Sequence, residues 1–147
     1  MLYSILALLI ATAFASAALY ITLVEHPARM ALPDEFALAQ WQPSYARALP
    51  IQGGLAVLGS VAGVLAWYRT GAVVDLAGSL LLFANWPFTL AAIMPVNGKL
   101  NATSPAAAGP DVRQLLQRWG TLHAVRGVLG SLAAGAFVAG LPTISVH

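Results

Sequence analysis

The sequence predicts an integral membrane, all-α fold: an antiparallel four-helix bundle with a short interfacial helix in the first loop. Three observations carry this. Of 147 residues, 59% are hydrophobic and only 8% charged, and the mean hydropathy is +0.78, too apolar for an ordinary soluble domain. Four apolar segments, at about residues 2–24, 50–68, 73–95 and 119–141, are each long enough to cross a ~30 Å hydrocarbon layer as a helix. The connections are short, which sets chain neighbours antiparallel. Residues 1–147 then form a single membrane domain.

Composition also excludes function classes. The net charge is +2, so the basic balance reflects a handful of residues and not a nucleic-acid surface. There is no cysteine, which removes disulfides, thiolate metal sites and cysteine nucleophiles. Walker, dinucleotide-binding and nucleophile-elbow patterns are absent. A single copy of four spans leaves little room for a transport path.

Leu2 to Val24 runs without a charge. Ala13-Phe14-Ala15 and Ala15-Ser16-Ala17 imitate a signal-peptidase site, but no basic segment precedes the run and it continues past both, so a retained span is expected. Pro27 disfavours a helical His26 and marks the end of the first span. Pro33-Asp34-Glu35 resembles a helix start. A short interfacial helix over Phe36 to Gln42 follows, stopped by Pro43, with Trp41 and Tyr45 suited to the membrane interface.

Ser44 to Leu49 leads into span two, Pro50 to Tyr68, anchored by Trp67 and Tyr68. Its Gly59-xxx-Gly63 pair permits a close helix approach, and Gly71 suits the next turn. Span three, Val73 to Pro95, holds Asn85 and Thr89 on one face, and Pro87 should kink it. An interhelical hydrogen bond is the simplest use of Asn85. Asp111 is placed to cap the last helix. That helix is polar from Arg113 to Arg118 and apolar from Gly127 to Leu141, with Gly127, Ser131 and Gly135 as a small-residue seam. The glycine seams serve either packing within the chain or a homo-oligomer.

Loops one and three carry Arg29, Arg47, Lys99 and Arg113, whereas the opposite side offers Arg69. The positive-inside rule places those loops in the cytoplasm and both termini outside.

Antiparallel topology brings Glu25-His26, Asn97 and His123-Arg126 to one level, joined by Tyr45 and Gln52 from span two. With Leu141 at the far boundary, 1.5 Å per residue puts His123 ~27 Å and Arg126 ~22 Å along the helix. A polar pocket at one mouth of the bundle is expected. Singly, each member has a simpler use: Glu25 pairing with Arg29 at the surface, His26 solvated at the interface, Arg126 snorkelling to headgroups, Asn97-Gly98 as a turn. Ionisable groups at one membrane depth point together to a functional site.

Glu25-His26-Pro27-Ala28-Arg29, Ser44-Tyr45-Ala46-Arg47, Pro95-Val96-Asn97-Gly98-Lys99-Leu100 and Trp119-xxx-His123-xx-Arg126 together resemble the anthrone oxygenase-like family of small four-span membrane proteins. That family unites fungal polyketide anthrone oxygenases with many bacterial members of unassigned role. The resemblance implies a location in a bacterial inner membrane. It also implies monooxygenase-type oxidation of an anthrone-like methylene to a quinone by dioxygen, with no flavin or haem. His123 is then the first choice of base and His26 the second. Arg126 and Asn97 would stabilise an enolate or peroxide oxygen, and Glu25 would orient a histidine. Trp41, Tyr45 and Trp119 would line an aromatic pocket, with Gln52 at the same level. The partners are the lipid bilayer, a small hydrophobic aromatic substrate and dioxygen.

Two other readings stand beside this one. Two imidazoles, a carboxylate and an amide form a set that could ligate iron or copper through His26 and His123, although no dense Glu-x-x-His spacing occurs. A non-enzymatic membrane helper or lipid-binding subunit would use the same pocket for packing alone.

Overall fold

The computed structural model describes residues 1–141; residues 142–147 of the expected domain lie outside the described part. Four helices, α1 Leu2–Met30, α2 Asp34–Thr70, α3 Val73–Ala102 and α4 Pro110–Ala139, are long and apolar enough to cross a bilayer. A 3₁₀ turn, Pro105–Ala107, joins α3 to α4, and no strand occurs among the described residues. Helix α1 packs on α2 and α4, and α3 packs on the same two. The four therefore close a ring in chain order, as expected for an integral membrane bundle. Gly71, at φ +73°, makes the tight turn between α2 and α3 in a conformation that other residues rarely adopt.

Small residues let the helices approach. A Cβ on Gly59 would strike Leu82 and Ile10, and one on Gly63 would strike Ser79 and Phe137. That seam is spent on packing within the chain. On α4 the seam differs from expectation. Gly120, Gly127 and Gly130 meet α1 residues His26, Leu19 and Phe14, whereas Gly135 faces open space and Ser131 is exposed. A strict four-residue repeat drifts by about 40° per step on a helix of 3.6 residues per turn, so it leaves the contact face. Alternating steps of three and four stay on it.

The prolines end fewer helices than expected. Pro27 and Pro95 lie inside α1 and α3, each two residues beyond a single π turn, at Ile21–Glu25 and Thr89–Ile93. Proline removes a backbone donor and crowds the preceding turn, and local π geometry is one way a membrane helix absorbs this. Pro43 and Pro50 lie within the continuous 37-residue α2. The expected short interfacial helix is thus the first part of α2. Burial of Ala37, Leu38 and Trp41 before Pro43, and of Gln52 and Ala56 after Pro50, holds both flanks in place. Pro87 does interrupt its helix, at Ala84. There the Asn85 amide donates to the Leu82 carbonyl at 3.0 Å and not across to a neighbouring helix. Asp111 makes no side-chain cap; it lies in the first turn of α4 after Gly109, where its charge suits the helix dipole.

The core divides in two. One apolar cluster holds Ile21, Leu38, Trp41, Ile93, Leu100, Leu116 and Trp119; the other holds Ala7, Phe14, Ala56, Leu82, Ala133 and Phe137. Between them in sequence on three helices lie polar side chains, Tyr45 and Gln52, Asn85 and Thr89, and His123 and Arg126; on α1, Thr22 follows directly after Ile21. A bundle with a polar layer in its middle holds a chamber, not a mouth.

Candidate functional site

The expected position at one mouth is therefore corrected. Because Pro27, Pro43 and Pro95 do not end their helices, extra turns of α1, α2 and α3 assemble the Trp41–Leu100–Leu116 cluster over the site. His123 is 3% exposed and Arg126 5%.

His123 stacks on Trp119 one turn earlier on α4, with ring centroids 4.8 Å apart and planes 25° from parallel. Its Nδ1 lies 3.3 Å from the Thr22 hydroxyl of α1. That hydroxyl donates its one proton to the Ala18 carbonyl at 2.9 Å, so it accepts from the imidazole. Nδ1 then carries the proton, and Nε2 keeps a free lone pair.

Glu25 and Arg29 do pair, at 2.6 Å, but not at the surface. Arg29 is 2% exposed. Glu25 Oε1 accepts from Arg29, from Gln40 Nε2 at 3.2 Å and from the Ser44 hydroxyl, while Arg29 Nε donates to Gln40 Oε1. Arg29 also donates to His26 Nδ1 at 3.4 Å and lies over the Trp119 ring. The opposite edge of His26 abuts Gly120 of α4. His26 is thus held on both edges, and it contacts Trp119 at 5.5 Å between centroids. Arg29, Gln40, Ser44 and Thr22 are site residues that sequence reasoning missed. The signal for Arg29 was its spacing, four from Glu25 and three from His26; Ser44 stood in the Ser44-Tyr45-Ala46-Arg47 motif without being given a role, and for Gln40 and Thr22 no local signal exists.

Trp41 is fully buried, not an interface anchor. Its indole stacks on Tyr45 at 4.9 Å and meets Trp119 edge-on at 5.8 Å. Asn97, one turn past the second π segment, donates to the Tyr45 hydroxyl at 2.7 Å. Gln52 is buried with its Nε2 unpartnered. Asn97 and Gly98 stand within a helix and form no turn.

Two cavities meet in the layer. The smaller, of about 10 Å³, is lined by Arg29, Trp41, Ser44, Tyr45, Gln52, Trp119, His123 and Arg126 among others; that is room for about one water. The larger, of about 420 Å³, is bordered by α2 and by the irregular part of α3, within the usual range for small-molecule sites. Leu49 and Arg126 line both. Glu25, His26 and Asn97 line neither and support the residues that do. Arg126 does not snorkel: its guanidinium sits over the Phe14 ring of α1 at 5.5 Å.

Among the described residues, no three His, Asp or Glu side chains gather as a metal-holding group. Nδ1 of His26 is engaged by Arg29 and Nδ1 of His123 by Thr22.

No curated protein and no solved structure matches the chain. One family's sequence profile, described as anthrone oxygenase, matches residues 41–136. The match covers Trp41, Tyr45, Gln52, Asn97, Trp119, His123 and Arg126 and begins after the Glu25–Arg29 motif. Covering well over half of the chain, it shows that this four-helix membrane protein belongs to the anthrone oxygenase family.

Proposed function

We propose that the protein is an oxygenase-like membrane enzyme that oxidises an anthrone-type or related phenolic small molecule with dioxygen. The observation that carries this reading is His123: a buried imidazole with its Nδ1 proton held by Thr22 and, among the described residues, no partner on its Nε2 and none on the Arg126 Nε one turn away.

In this reading His123 Nε2 removes a proton from the doubly benzylic methylene that stands across the central ring from the ketone and is conjugated to it through the aryl rings. The resulting enolate gives electrons to dioxygen and forms a carbon–oxygen bond. Loss of the second methylene proton with cleavage of the O–O bond leaves a quinone carbonyl and one water, so all four electrons come from the substrate. Arg126, Gln52 and Tyr45 supply hydrogen-bond donors to the enolate oxygen. His26, second choice as base, is a positioning residue with Glu25 and Arg29, because none of its edges reaches the cavity. Asn97 acts through Tyr45, and Trp41 and Trp119 hold Tyr45 and His123 in place. Arg47, Lys99, Arg113 and Arg118 at the site end of the bundle, against Arg69 at the other, support a cytoplasmic position for loops one and three.

The test is oxygen uptake with formation of the quinone chromophore from a hydroxylated anthrone, using purified protein in lipid nanodiscs and subtracting autoxidation in empty nanodiscs. His123→Ala is expected to abolish the catalysed part while the thermal transition persists. Full activity in that variant refutes the base assignment. A lipid-binding helper is the second reading, favoured by the apolar lining of the larger cavity; it expects no uptake above background and an acyl chain retained through purification.

A further inference from the structure

The larger cavity lies between α2 and α3, and its rim is on the outside of the bundle. Pro50, Gly54, Trp86, Leu90 and Met94 are exposed there, at positions inside two membrane spans, so the opening faces lipid and not water. From Asn85 to Met94 the cavity runs for about 13 Å along α3 at 1.5 Å per residue. The break at Ala84 and the π turn at Thr89–Ile93 occupy this same stretch. Irregular helix turns of this kind recur at functional sites.

Two features describe what fits. The first is shape. Trp86 donates its indole N–H to the Gly53 carbonyl at 3.3 Å, which pins the ring against α2. Gly53 and Gly54 beside it carry no side chain, so part of the wall is an aromatic face next to a bare helix surface, and Leu49, Leu90 and Met94 complete the apolar lining. The second is charge. Arg126 is 5% exposed, its Nε has no partner, and it takes part in no hydrogen bond or ion pair among the described residues. Asn85 at the same cavity has an unpartnered, buried Oδ1. A buried cation without a counter-ion is costly in a bilayer, and an anion delivered through the lipid-facing opening would supply the missing charge.

We propose that this cleft is a binding site, reached sideways from the bilayer, for a flat apolar molecule bearing one anionic oxygen that pairs with Arg126. The small chamber around His123 has room for little beyond a water, so the body of the molecule lies in the cleft and only its reacting edge passes Leu49 and Arg126. The proposal rests on the oxygenase reading only in naming a molecule for the same site; the binding itself requires no turnover.

The experiment uses anthraquinone-2-carboxylate, which is already a quinone and is not oxidised, with full-length protein in phosphatidylcholine nanodiscs. Binding is read from tryptophan fluorescence quenching after subtraction of empty nanodiscs. Gly54→Phe fills the cleft from a position where an added Cβ meets nothing within 4 Å, and Arg126→Gln removes the charge. Each is expected to raise Kd by about tenfold or more, and uncharged anthraquinone is expected to bind wild type about tenfold more weakly than the acid. Unchanged affinity in Gly54→Phe, or equal affinity of acid and parent quinone, overturns the proposal. Displacement of the probe by palmitate at equal or lower concentration overturns the flat-molecule assignment in favour of a fatty acid. Probe binding as expected without anthrone oxidation defeats the oxygenase reading alone. Oxidation at wild-type kcat/KM in Gly54→Phe defeats the cleft alone.

Discussion

The Thr22 hydroxyl, fixed by its bond to Ala18, accepts the Nδ1 proton of His123 across α1 and α4. One side chain thus decides which nitrogen of the other is free. Thr22→Val keeps the shape and removes the acceptor, leaving a buried N–H unmatched at a cost of about 1–3 kcal/mol. The expected result is a fall in kcat of about tenfold with little change in KM, and recovery in Thr22→Ser. Steady-state quinone formation measures both, and ¹⁵N chemical shifts of His123 report the change of tautomer.

His26 fits against α4 only because residue 120 lacks a side chain. Gly120→Ala should force the ring or the helix to move, with a loss of about 1–3 kcal/mol typical of overpacking. Gly98→Ala is the comparison: that position is exposed, helical and clear of neighbours, so a small gain is expected from helix propensity. Thermal transitions of the two variants in nanodiscs should move in opposite directions.

Glu25 is the sole carboxylate facing Arg29 among the described residues. Glu25→Gln leaves a guanidinium that is 2% exposed without its counter-charge. Breaking such a pair from one side costs about 3–5 kcal/mol when fully buried; Glu25 retains some exposure, so about 2–3 kcal/mol is expected. Arg29→Met combined with Glu25→Gln should recover part of that loss. A double-mutant cycle on thermal stability reads the coupling, and additive losses would exclude a buried pair.

Tyr45 connects Asn97 to the chamber. Tyr45→Phe keeps the stack on Trp41 but leaves the buried Asn97 amide without this partner, at about 1–2 kcal/mol. A modest loss of stability and a roughly tenfold loss of kcat/KM for an anthrone are expected. Asn97→Ala should approach the same activity, because the two act as one unit. Losses that multiply in the double variant would show them to be independent.

Much of the fold is written locally. Four apolar runs separated by short polar connections determine four helices, their antiparallel order and their need for lipid, because length and hydropathy act residue by residue. The shared level of Tyr45, Gln52, His123 and Arg126 also follows from helix rise and topology alone. What local pattern misjudged was proline. Pro27, Pro43 and Pro95 read as stops, yet tertiary packing of Trp41, Leu100 and Leu116 carries the helices past them. The polar layer is thereby closed on that side and becomes a chamber between two apolar clusters.

Only the tertiary structure decided which polar residues face the chamber and which brace it. Thr22 and Gln40 stand in no motif, and Ser44 stands in one that gives it no role; they matter because α1 and α2 bring them to His123, Glu25 and Arg29. The stretch Trp119–Arg126 announced a polar pair entering a membrane helix. Its two members differ in a way spacing does not encode: His123 finds Thr22, whereas Arg126 finds an aromatic ring and an apolar cleft. Spacing on one helix determines which side chains share a face. Whether a face meets a partner or a cavity depends on what the other three helices place there.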